Sequence, residues 1–250
     1  MENVVDNRTP PPPDVIWMRP DRSRRPLQVA LSREQITSAA LTIADTEGVA
    51  TVTMRRIAQE LGCGTMSLYR HVRTKDEVLD LIVDAALGEE ERPDTPSGDW
   101  RADLYRLARA KRTVLLRHPW LSHVVAGRPV LGPNAIASTE YALSALAGLG
   151  LSMDETVRII NTLHAFVNGF VQTEIEESKW RRHPESEASE AREDDWREAT
   201  LPYLQHVIES GRYPHFTRMV YEAESSPDTD ASFEWQLERV IDGLSPAVPS

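Results

Sequence analysis

Residues 53–72 read TMRRIAQELGCGTMSLYRHV. Two short apolar patterns flank a glycine-containing turn: Ile57, Ala58 and Leu61 before it, Leu68 and Val72 after it. The three-to-four spacing predicts a helix on each side. Two short helices joined by such a turn match a helix-turn-helix, which leaves few alternatives for the neighbouring chain. A helix is expected in front of the pair. Ile36, Ala39, Ala40, Ile43 and Ala44 share one helical face, Ser32 and Gln35 form a capping box, and Gly48 stands where the helix stops. Another is expected behind it. Thr74 and Glu77 form its capping box, and Val78, Leu79, Ile82, Val83 and Ala86 its buried stripe.

The remaining chain repeats the helical pattern and offers no convincing strand. The polar segment EEERPDTPSGD at 89–99 carries two prolines and reads as a joint. Beyond it, Leu104, Leu107, Ala108 and Leu115 mark a helix, a short one follows around PWLSHVVA, and another ends at Gly148 and Gly150. Ser152 and Glu155 open a long helix to about Trp180. Helices from about Trp196 to Glu209 and from about Ala231 to Leu244 complete the chain. The expected fold is all-α: a three-helix helix-turn-helix domain followed by a second, larger helical domain. The expected boundaries are 1–30 for a proline-rich flexible arm, 31–88 for the first domain and 99–246 for the second. Arg19, Arg22, Arg24 and Arg25 make the end of the arm basic. It reads either as a solvated tail or as an arm lying along DNA.

Net charge is −11, which argues against a general nucleic-acid binder. The charge is unevenly placed. Residues 15–78 hold ten Arg and Lys against seven Asp and Glu, whereas 79–250 hold 17 against 29. A small basic end on an acidic body suits a chain whose first domain alone meets a polyanion. Residues 61–75 carry three Arg or Lys and no carboxylate. In a helix-turn-helix the second helix enters the major groove and the first crosses the backbone. Thr65 and Ser67 put short polar groups at the start of the second helix. Tyr69, His71 and Lys75 are placed for flanking phosphates. Arg70 is placed for a phosphate or a guanine edge, and Thr53 and Arg55 for backbone or base. Met66 either touches a thymine methyl or fills the core. The single cysteine, Cys63, excludes an internal disulfide and reads as a small packed residue.

Residues 32–88, above all TVTMRRIAQELGCGTMSLYRHVRTKDEVLDLIVD, resemble the DNA-binding domain of the TetR family of bacterial repressors. HPWL, GRPVLGPN and GLGLSMDE, within 100–180, are similar to the ligand-binding domain of the Tet repressor branch. The resemblance implies a homodimer that binds a palindromic double-stranded operator and releases it when a small-molecule effector binds. By matching position it puts DNA contacts on Thr53, Arg55, Thr65, Met66, Ser67, Tyr69, Arg70, His71 and Lys75. The Tet repressor has a bulky aromatic where Arg70 stands, so base preference need not carry over. The family also places ligand contacts near the short-helix turn, where His118, Trp120, His123 and Arg128 lie; the bland reading of the histidines is packing or solvation. Tetracycline enters its repressor as a magnesium chelate, held by a histidine and a helix carboxylate. Here His123 is only roughly in register, and Thr173 or Glu174 falls at the carboxylate's place. No intrinsic metal or cofactor is therefore expected.

In the long helix, Ile159, Ile160, Leu163, Phe166, Val167 and Phe170 form an apolar face, bordered by Asn161, His164 and Asn168. Neutral polar groups beside an apolar face suit a pocket lining. They equally suit hydrogen bonds across helices or at a dimer seam. The last helix presents Phe233, Leu237, Val240, Ile241 and Leu244, either to a two-fold partner or to its own subunit. No nucleophile elbow, P-loop, dinucleotide fingerprint or zinc-protease motif occurs, so no enzyme is expected. No apolar run approaches the roughly 18 residues of a membrane span, and the N-terminus is not a signal peptide. A cytoplasmic regulator is the expectation; the alternative is an orphan regulator governed by a protein partner or by no ligand.

Overall fold

The computed structural model describes residues 15–19, 31–125, 130–182, 199–223 and 228–244. Among them there is no strand. The helices are α1 (Arg33–Glu47), α2 (Met54–Glu60), α3 (Thr65–Leu68), α4 (Lys75–Leu87), α5 (Trp100–Arg117), α6 (Leu121–Val125), α7 (Pro133–Ala145), α8 (Met153–Arg182), α9 (199–209), α10 (Pro214–Glu222) and α11 (Thr229–Leu244). Two 3-10 turns, Ile16–Met18 and Val49–Thr51, accompany them. The chain forms two compact units, 1–148 and 149–250. The segment expected to be a joint, 89–99, lies inside the first unit. Glu90 there is buried and accepts a 2.6 Å hydrogen bond from Ser138 Oγ.

The helix-turn-helix closes on its own core. Ile36 and Ile43 of α1, Ile57 of α2, Leu68 of α3, and Val78 and Ile82 of α4 are all at most 1% exposed. Gly62 in the turn has φ +62°, a conformation that a side chain disfavours, so the chain reverses there. The expected second helix of the motif, 65–72, is shorter than its pattern. Only Thr65–Leu68 is α-helical. His71 N donates to Leu68 O at 2.8 Å, an i→i+3 bond that tightens the chain beyond one turn.

The expected caps form at two of three sites in full. Ser32 and Gln35 bond reciprocally, at 3.2 and 3.0 Å, as do Ser152 and Glu155, at 3.3 and 2.8 Å. Thr74 Oγ1 accepts from Glu77 N at 3.1 Å, but the Glu77 carboxylate accepts from Arg73 N rather than Thr74 N.

α4 departs from a single-stripe helix. Leu79 is only half-buried, while Leu81, Asp84 and Leu87 are buried beside Val78, Ile82, Val83 and Ala86. The reason is its position: α4 packs on α1 and also on α5, α6 and α7. Asp84 caps the start of α7 from outside that helix. Its Oδ1 accepts from Asn134 N and Ala135 N, both at 3.0 Å, and its Oδ2 from Asn134 Nδ2 at 3.1 Å. Gly132, the residue at the α7 N-cap, offers no side chain of its own, and a Cβ there would collide with the Asp84 carboxylate.

In the second unit α8 packs on α11. Ile159, Leu163, Val167 and Val171 face Phe233, Leu237 and Ile241, and all seven are buried. Phe166, Phe170 and Phe233 cluster with centroids 5.1–6.0 Å apart. The central stripe of the last helix is thus covered by its own subunit. A two-fold contact on this helix has to use another face, on which Trp235 is 60% exposed.

Candidate nucleic-acid interface

The residues expected to meet DNA divide by exposure. Arg55, Met66, Tyr69, Arg70 and Lys75 are exposed, as is Thr53; Thr65, Ser67 and His71 are half-buried. Met66 is 74% exposed, which decides against its filling the core. Thr53 is the N-cap of α2, its Oγ1 accepting from Arg56 N at 3.1 Å. That role was not legible from the Thr53 side chain alone, since no Glu or Gln completes a box.

The cations sort by partner. Arg56 is clamped by Glu47, with Nε bonds of 3.0 and 3.1 Å, and by Glu60 at 2.8 Å. The Arg56 hydrogen bond holds the Glu47 carboxyl below its ordinary range. Arg55, Arg70 and Lys75 have no carboxylate partner among the described residues. Three exposed, unneutralised cations thus stand at the start of α2, just after α3 and at the start of α4. Such groups are what a phosphate backbone requires.

The expected ligand residues are spread over both units. In the first, His118 is 3% exposed, with Nδ1 2.8 Å from Asp45 of α1 and Nε2 3.2 Å from Glu89. Trp120 Nε1 donates to the same Asp45 at 2.7 Å. His118 and Trp120 therefore join the ends of α1 and α4 to the α5–α6 corner, which favours the packed reading of His118 and gives Trp120 a structural bond as well. Burial works to raise the Glu89 carboxyl, but hydrogen bonds from Arg117 and His118 outweigh it and leave the group lowered. His123 is exposed beside Ser122. Arg128 lies outside the described residues. In the second unit, Asn161 is exposed, and His164 and Asn168 are half-buried, with Asn168 Oδ1 buried and without a hydrogen bond among the described residues.

The cavities implicate other residues. A groove of about 600 Å³ runs along α5, lined by Tyr105, Arg106, Arg109, Thr113 and Arg117 with Glu89. A smaller one of about 360 Å³ lies between α8 and α11, lined by Phe166, Phe170, Thr173, Glu174 and Ser232 among others; none of Asn161, His164 and Asn168 lines it. Sequence reasoning passed over the α5 groove. Its signal was the Tyr105, Arg109 and Thr113 series, four residues apart on the side away from Leu104 and Leu115. Arg109 lies 5.4 Å from the Tyr105 ring centroid, and Arg106 bonds both the fully buried Asp103 (2.8 Å) and Tyr141 (3.3 Å).

Comparison with known proteins agrees in both halves. Residues 36–82 match the family described as bacterial regulatory proteins, tetR family, and residues 92–248 match the tetracyclin repressor-like C-terminal domain. The HTH-type transcriptional repressor DrrR1 of Streptomyces coeruleorubidus is 37% identical over 235 residues, 92% of this chain and 83% of that protein. The class A tetracycline repressor of transposon 1721 from Escherichia coli is 28% identical over 218 residues, 86% of this chain and 91% of its own. Among solved structures, the Streptomyces coelicolor TetR family protein ActR in complex with actinorhodin superposes with a TM-score of 0.70 at 31% identity, covering 89% of this chain and 99% of that one. The chain belongs to the TetR family of bacterial regulatory proteins and carries a tetracycline repressor-like C-terminal domain.

Proposed function

We propose that the chain is a ligand-responsive transcriptional repressor that binds a palindromic operator as a homodimer and leaves it when a small molecule binds. The observation that carries the reading is the trio of exposed, carboxylate-free cations, Arg55, Arg70 and Lys75, on an otherwise acidic protein. α3 enters the major groove with Thr65, Met66 and Ser67 toward base edges. Thr53, Tyr69, His71 and Lys75 hold the flanking backbone, and Arg70 reads a base or holds a phosphate. The role is regulatory, not catalytic, and is exercised in the cytoplasm, where operator DNA is. No helix of the described residues is long and apolar enough to cross a membrane.

Release is carried by α4, whose first half belongs to the helix-turn-helix core and whose second half is tied to α7 through Asp84. An effector that binds one setting of this joint more tightly changes the separation of the two α3 helices. They then no longer fit grooves about one helical turn apart. ActR is crystallised with actinorhodin, which supports a small-molecule effector here. We assign effector contact to Asn161, His164 and Asn168 of the second unit, neutral polar groups that border the apolar face of α8. Selection of duplexes from a random library by the purified protein tests the DNA half. Enrichment of one palindrome is expected, and enrichment of none at moderate salt would overturn it.

A further inference from the structure

Ile16–Met18 lies ahead of the matched DNA-binding family segment, yet it is built into the helix-turn-helix. Ile16 is 2% exposed, as deeply buried as the residues of the core. Trp17 forms part of a groove with Thr37 and Leu41 of α1 and Leu81 of α4. Arg19 follows with its side chain only 14% exposed, its Nη2 2.5 Å from Glu77 in the first turn of α4. The backbone continues the attachment: Arg33 of α1 donates through Nη1 to Arg19 O at 2.7 Å and through Nε to His71 O at 3.4 Å. Glu77 in turn accepts from Arg73 N at 2.7 Å. The attachments converge on residues 71–77, the passage from the recognition segment into α4. That passage holds His71 and Lys75, two of the residues assigned to DNA.

We propose that residues 15–19 are a strap belonging to the DNA-binding module, and that Arg19, through Glu77, is a positioning residue that fixes the 71–77 passage for operator binding without touching DNA. Near-burial of the guanidinium against a carboxylate removes it from the phosphate-facing cations. Loss of either partner strands the other charge and frees the passage. Truncating the chain at the boundary of the matched family segment would delete the strap together with its anchor, Ile16. The inference rests on the DNA-binding reading.

The test uses the full chain and a palindromic duplex enriched from random DNA by the unmodified protein. Failure of the unmodified protein to bind any such duplex sinks the DNA-binding reading, not the strap. Arg19→Met keeps much of the packed stem and removes the charge. Glu77→Gln keeps an acceptor for Arg73 N and breaks only the ion pair. Each should weaken operator binding by about tenfold, and the double variant no further than either single one. The slope of affinity against salt should stay that of the unmodified protein. Unchanged affinity in Glu77→Gln would overturn the proposal, whether or not Arg19→Met folds. Additive losses would overturn it too. A salt slope shallower by about one for Arg19→Met would make Arg19 a phosphate ligand and overturn the positioning role.

Discussion

Arg55 and Arg56 are neighbours in sequence and opposites in use. Arg56 is neutralised by Glu47 and Glu60, while Arg55 is exposed with no carboxylate partner among the described residues. Arg55→Ala should therefore lower operator affinity and make its salt dependence shallower by about one. Arg56→Ala should lower the thermal midpoint and leave the salt slope alone. Arg70 separates differently: if it reads a guanine, Arg70→Ala relaxes one position per half-site in a repeated selection, and an unchanged preference confines it to phosphate. Glu89 gives a pH signature. Its folded carboxyl is lowered below the ordinary value of 4.5. Its contribution to stability is complete above that value and is lost as pH falls through the folded one. Acid unfolding of Glu89→Gln, followed by circular dichroism, should lack this part of the loss below pH 4.5. Gly132→Ala places a methyl against Asp84 and should cost about 2 kcal/mol in denaturant unfolding.

At the scale of the element, end signals were more legible than extents. Ser32–Gln35 and Ser152–Glu155 could be read because the box is local, each partner three residues from the other. Thr74→Ala should cost about 1 kcal/mol, through the cap that the sequence also located. α3 was overread because Val72 continues the apolar spacing although the backbone has already tightened after Leu68. α4 was underread because burial on two sides depends on helices distant in the chain, and Leu81 and Leu87 lie off the single predicted face. Exposed cations were legible as a cluster. Which of them are neutralised was not, since Glu47 is nine positions from Arg56 and the pair meets only when α1 packs on α2. The α5–α6 joint was hidden for the same reason: His118 meets Asp45 across 73 residues. His118→Leu should leave the helix-turn-helix core folded but loosen amide-exchange protection at the ends of α1 and α4 together.

For the whole molecule, the family assignment brings a two-fold partner, and the structure limits where it sits. Phe233, Leu237 and Ile241 are spent on α8 of the same subunit. Sedimentation should give about twice the 28.2 kDa of one chain. Trp235→Asp on the outer face of α11 should shift that mass toward one chain on dilution and weaken operator binding in parallel. The acidic remainder also has a part at this scale. It opposes unspecific attachment to DNA, so affinity for random duplex should fall away well below physiological salt.

The Asp84 cap on α7 bears on how regulators of this architecture can be recombined. A graft that exchanges everything after residue 88 takes the α7 backbone N–H groups from one parent and the carboxylate that satisfies them from another. It succeeds only if the donor also has a residue as small as glycine at position 132. Splicing near 148, where the first compact unit ends, keeps acceptor and donors in one piece. Chimeras cut at 148 should therefore express and melt cooperatively, and those cut at 88 should do so only when the Asp84 and Gly132 pair is carried over. The heritable module for operator recognition, by this measure, runs to residue 148, well past the helix-turn-helix and α4.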